Sequence, residues 1–158
     1  MRPLLEELLV EADNNRIEVR EHTFKSRRIK GLYMDGVITL NPLALTTLVE
    51  KACVLAEELG HHHTSFGNIL DLKDMRELKQ EKRARNWGYE RLVPLNSIIQ
   101  AYKSGARNRY EIAEHIGVTE DFFEDSVKHY EKKYGLYTIF DDHHIIFFNP
   151  NLQIIEFI

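Results

Sequence analysis

The chain is short of the residues that usually announce a covalently stapled or membrane-embedded protein. It has one cysteine in 158 residues, so an internal disulfide is impossible, and Cys53 lies in an apolar-periodic run, TLVEKACVLAEELG, where it reads as a buried helix residue. No window approaches the roughly 18 to 20 consecutive apolar residues of a membrane-spanning helix. The first residues, MRPLLEELLVEADNN, set acidic groups among the leucines where a secretory signal would be uniformly apolar. A soluble cytoplasmic protein with no membrane association is the expectation. A large charge imbalance is lacking as well: the formal net charge is -4, with both signs mixed along the chain, and charge balance alone implies no polyanion-binding role. The length suits one compact core, alone or with a small appended subdomain.

What is present begins with helical and strand periodicity. Leu4, Leu5, Leu8 and Leu9 among glutamates predict a short amphipathic helix between Pro3 and Asn14-Asn15. RIEVREHTF alternates as a strand, and Lys25 to Lys30 is a basic surface stretch that reads first as a solvated loop or turn and second as a nucleic-acid contact. Two short strands are expected around Met34-Asp35-Gly36, a strong hairpin signal, and their edge lies in reach of an extended peptide adding as a further strand. Asn41-Pro42 is expected to open a long helix buried along Leu48, Ala52, Leu55 and Leu59. A Ser-Phe-Gly-Asn loop follows, then a second long helix with apolar contacts at Met75, Leu78, Ala84 and Trp87, stopped by Pro94. Beyond a short helix over Leu95 to Tyr102, two helices around Gly117 and a β-hairpin of LYTIF and HIIFF complete the chain. The break at Lys103-Ser104-Gly105 predicts units 1–102 and 103–158.

Chemistry concentrates in Ala56-Glu57-Glu58-Leu59-Gly60-His61-His62-His63. A helix stacks residues i and i+4 on one face with i+1 beside them, so two ligands at 57 and 61 can grip one ion while Glu58 reaches a water there. This is the logic of the HExxH zinc motif, here with carboxylate at the first ligand position. The same residues also read as solvated glutamates followed by histidines that stabilise a helix C-terminus.

LAEELGHHHTSFG followed by QEKRARNWGYERLVP resembles the two signature blocks of the ImmA/IrrE metallopeptidase family, common in phages, prophages and mobile elements. Glu57 to His61 fall on the HELGH block. Glu81, Ala84, Trp87, Gly88, Val93 and Pro94 fall on a second block of the form E-x-x-A-N-x-F-A, with Arg85 where asparagine is usual and Trp87 where phenylalanine is. The resemblance implies an α+β fold: a zincin-like helical core with a small β-sheet, followed by a helix-turn-helix-like segment and a β-hairpin. It implies Glu58 as the catalytic general base and Glu57, His61 and Glu81 as metal ligands, with a fourth position open. The implied cofactor is a divalent metal, Zn2+ first. Two carboxylates and one imidazole make a harder donor set, which brings Mn2+ and Fe2+ into competition. Two alternatives remain: Glu57 pointing to solvent with His62 or His63 in its stead, or a catalytically inactive scaffold that binds a regulator. The implied substrate is a cytoplasmic protein such as a phage or mobile-element repressor carrying its own helix-turn-helix.

The tail segment RYEIAEHIGVTEDFFEDSVKHY has helix-turn-helix spacing at Ile112, Ala113, Ile116, Gly117, Val118, Phe122 and Val127. Its second helix nevertheless opens on Glu120, Asp121, Glu124 and Asp125, which repel phosphate, so DNA binding is not expected. Tyr33 and Tyr89 are candidate oxyanion donors or half-buried aromatics.

Overall fold

The computed structural model describes residues 2–64 and 74–158, with side chains from 77 onward in the second stretch. The expected Ser-Phe-Gly-Asn loop and the Met75 contact lie outside the described residues. Two compact units divide the chain, Met1–Leu92 and Val93–Ile158. The division falls one helix before the expected joint; Lys103-Ser104-Gly105 lies within the second unit. No helix among the described residues is long and apolar enough to cross a membrane.

In the first unit, α1 (Leu4–Asn14) buries Leu8 and Ala12 and leads through Ile17 into β1 (Glu18–Glu21). β2 (Gly31–Met34) and β3 (Val37–Leu40) pair antiparallel, and β1 runs parallel to β3, so the order is β1-β3-β2 with β2 at an edge. The hairpin turn has positive φ at both Asp35 (48°) and Gly36 (78°), the conformation that matches strand twist across a two-residue connection. Ile38 and Leu40 carry the sheet's buried face.

Asn41 does not start a helix. It is fully buried: its Nδ2 donates to the Ile29 carbonyl at 2.7 Å and the Ser26 carbonyl at 3.2 Å, while its Oδ1 accepts from the Leu43 backbone at 3.1 Å. Its amide therefore fastens the exposed Lys25–Lys30 stretch to the sheet. α2 (Leu48–Thr64) starts later, where the Thr47 hydroxyl accepts from Glu50 N–H at 3.1 Å. Ala52, Leu55 and Leu59 are buried as expected, but Leu48, in the first turn, is 67% exposed. α3 (Asp74–Leu92) follows, with Ala84 and Leu92 buried; Leu78, on its outer side, is exposed.

The second unit contains α4 (Leu95–Lys103), α5 (Arg109–Ile116) and α6 (Glu120–Tyr134). Asn108 caps α5 by accepting from Glu111 N–H at 2.8 Å, while the Glu111 carboxylate accepts from Arg107 N–H at 2.7 Å. Gly117 ends α5 in the left-handed region (φ 92°), and the Thr119 hydroxyl caps α6. Phe123 takes the fully buried seat expected for Phe122, which is half-buried. β4 (Tyr137–Ile139) and β5 (His144–Phe147) pair antiparallel, and a strand not foreseen, β6 (Gln153–Glu156), adds to β5. Gln-Ile-Ile-Glu is too short, and too apolar at its centre, to show a clear alternation.

Candidate metal centre

The site is built by two helices that approach unusually closely. On α2 the facing positions are Ala56 and Gly60; on α3 they are Ala84 and Gly88, and all four are buried. Each pair is spaced by four, so each forms one strip along a helix face. A methyl group placed on Gly60 would overlap the Ala84 carbonyl oxygen and lie 2.8 Å from its carbon. One placed on Gly88 would sit 3.4 Å from the Ala56 carbonyl carbon, in contact with backbone again. Only side chains this small allow the backbones to touch. The consequence is that Glu81, one turn before the strip on α3, stands over the Glu57–His61 turn of α2.

Ligand-type atoms of Glu57, His61 and Glu81 all lie within 4.8 Å of one another. His61 Nε2 is 3.2 Å from Glu81 Oε1. Arg85, one turn after Glu81, donates from Nε to Glu57 Oε1 at 3.3 Å and brings a terminal nitrogen within 4.0 Å of Glu81 Oε2. His62 and His63 turn elsewhere. His62 Nδ1 shares a 2.7 Å hydrogen bond with the Tyr33 hydroxyl, and His63 stacks on Trp87 with ring centres 4.7 Å apart and lies 3.9 Å from Glu11. Burial lowers the His63 pKa, as does neighbouring His62, while Glu11 pulls the other way.

Glu58 points inward and is 7% exposed. β2 presses on it from the other side: a methyl at Gly31 would come 2.7 Å from Val54 Cγ1 and 3.2 Å from Glu58 Oε1. Loss of solvent is the main force on this carboxyl, followed by the like charges of Glu57 and Glu81; the Tyr33 N–H bond works in the opposite direction. The net effect raises its pKa to about 8. Three carboxylates converging beside one imidazole suit a divalent cation in both donor chemistry and charge. The residues fit the group that the sequence resemblance implies.

A family profile described as IrrE N-terminal-like domain, a peptidase family, matches residues 12–128. The chain belongs to the ImmA/IrrE family. No curated protein matches it. As a member of a metallopeptidase family with a convergent acidic–imidazole donor group, it carries the elements of a divalent-metal site. Of the residues read from the sequence, the structure of this ImmA/IrrE chain brings Glu57, His61 and Glu81 together with Glu58 alongside. It engages His62 with Tyr33 through the hydroxyl that was a candidate oxyanion donor. Sequence reasoning passed over the Arg85 contacts, the Tyr33 N–H on Glu58 and the purpose of Gly60 and Gly88. The repeated four-residue spacing of small residues on both helices was the available signal for the last.

Proposed function

We propose that the chain is a metal-dependent endopeptidase that cleaves a cytoplasmic protein, with a phage or mobile-element repressor as the substrate class. Glu57, His61 and Glu81 are the ligands in this reading and Glu58 the general base. The observation that carries it is the convergence of the three donors beside one buried carboxyl of raised pKa. Zn2+ leads as the ion, with Mn2+ and Fe2+ suited to the carboxylate-rich set. When bound, the ion supplies a Lewis acid that polarises the scissile carbonyl and acidifies water.

The chain's own residues do the rest. Without a cation Glu58 keeps its proton at neutral pH; positive charge among Glu57, Glu58 and Glu81 stabilises its ionised form, which can take a proton from the attacking water and pass it to the leaving amine. β2 is an edge strand whose Tyr33 N–H meets the Glu58 carboxyl, and the rest of that edge can hold an extended peptide by strand addition. We read α5, Gly117 and α6 as a helix-turn-helix-like segment used for protein contact, since Glu120 and Asp121 open α6 with negative charge where phosphate would have to approach.

A catalytically inactive scaffold that binds a regulator is the second reading. It is favoured by Arg85, whose guanidinium already offsets charge on Glu57 and Glu81. Incubating the chain with Zn2+ and a repressor protein separates the two. Cleavage should require metal, stop on adding a chelator, and be lost in Glu58→Gln while that variant still binds Zn2+. Cleavage by Glu58→Gln refutes the assigned base, and binding of a regulator without any cleavage establishes the scaffold.

A further inference from the structure

Arg85 is the one cation the described structure sets against the donor group, and it lies against both carboxylates of that group. Glu81 turns Oε1 toward His61 at 3.2 Å and has Oε2 4.0 Å from the guanidinium. Glu57 meets the same guanidinium through Oε1 at 3.3 Å. Glutamate reaches its carboxylate through three rotatable bonds, and the Glu57 and Glu81 side chains are 31% and 44% exposed, so neither is held in place by packing alone. The guanidinium is planar, permanently charged and able to donate from several nitrogens in a fixed fork. An exposed pair of this kind adds little to folding stability, but a group that fixes the orientation of a ligating carboxylate acts strongly on the metal.

We propose that Arg85 is a positioning residue of the metal centre: its hydrogen bond fixes the Glu57 carboxylate, with a longer charge contact to Glu81, in the orientation in which both converge with His61. The proposal rests on the metal-centre reading above. Arg85 also repels a divalent ion directly, and a test must separate that repulsion from the orienting contact. The repulsion is felt whatever residue stands at position 57, whereas the contact exists only with a carboxylate there.

A double-mutant cycle on the 158-residue chain isolates the contact. Zn2+ dissociation constants are measured by competition with a chromogenic chelator for the unaltered chain, Arg85→Met, Glu57→His and the combined variant. Circular dichroism checks the fold of each, and Arg85→Gln serves as an independent second substitution. Removing Arg85 should weaken Zn2+ binding at least about tenfold more in the Glu57 background than in the Glu57→His background. Effects that are additive within about threefold, for both Arg85 substitutions, overturn the proposal while leaving the metal centre intact. An unaltered chain that binds no Zn2+, or whose binding is indifferent to Glu57→Ala, His61→Ala and Glu81→Ala, overturns the metal-centre reading and this proposal with it.

Discussion

Replacing Glu58 by glutamine should remove a pH-dependent weakness from the metal-free chain. The Glu58 carboxyl is raised from the ordinary glutamate value of 4.5 to about 8, chiefly by desolvation and then by Glu57 and Glu81. Between those values the folded chain holds a proton that the unfolded chain has released, so stability falls as pH rises through that interval. The loss is absent below 4.5 and complete above about 8. At about 1.4 kcal/mol per pH unit, it reaches roughly 3 kcal/mol by pH 7 and less than about 1 kcal/mol at pH 5. Glutamine has a similar shape and does not titrate. The measurement is urea denaturation of chelator-treated protein at several pH values, comparing the unaltered chain with Glu58→Gln. Groups that do not interact with Glu58 are common to both and drop out of the difference, while its coupling to Glu57 and Glu81 is part of the effect read. The variant should gain about 2 kcal/mol on the unaltered chain between pH 5 and 7. Curves that stay parallel within about 0.5 kcal/mol would refute the raised pKa and the electrostatic account of the site built on it.

Two further substitutions probe the frame that holds the site. Gly60→Ala, whose methyl group must push against the Ala84 carbonyl, should destabilise the chain by about 1 to 3 kcal/mol in urea denaturation and weaken Zn2+ binding as α3 moves away; unchanged stability would show that the helices are not in backbone contact. Asn41→Ala leaves the Ile29 and Ser26 carbonyls and the Leu43 N–H without their side-chain partner, for an expected loss of about 2 to 3 kcal/mol by the same assay; a loss below about 0.5 kcal/mol would mean that water replaces the amide without penalty.

How much was legible in the sequence varies with how local the determining physics is. The α1 helix, the Asp35-Gly36 hairpin and the Gly117 turn follow from periodicity and from residues that tolerate positive φ, and the structure has them where the sequence put them. Asn41 misled because a side chain that can cap a helix can equally satisfy a neighbouring loop, and only the fold says which carbonyls come near. Leu48 and Leu78 fit the helical period yet face outward, since an apolar stripe counts only where a partner covers it. β6 depends on pairing with β5, a contact that its own four residues hardly advertise. At the centre, i,i+4 spacing linked Glu57 to His61 directly. Glu81 was reached only through resemblance, because its distance from α2 is a tertiary fact. Arg85 occupies the same face as Glu81 one turn on, yet nothing in sequence spacing tells a charge on the open flank of a helix from one that reaches across.

The backbone contact between Gly60 and Ala84 also bears on how the centre tolerates change. The spacing between the two helices is set largely by main-chain atoms, which every residue supplies, and by the absence of a β-carbon at position 60. Substitutions along the outer flank of α3 can therefore alter charge and solubility while the helix spacing holds. Added bulk at position 60, which bears no functional group, would displace the donor atoms all together. The spacing of the two helices is thus insulated from most mutational drift and acutely vulnerable at one silent position, which a survey confined to chemically reactive side chains would never examine.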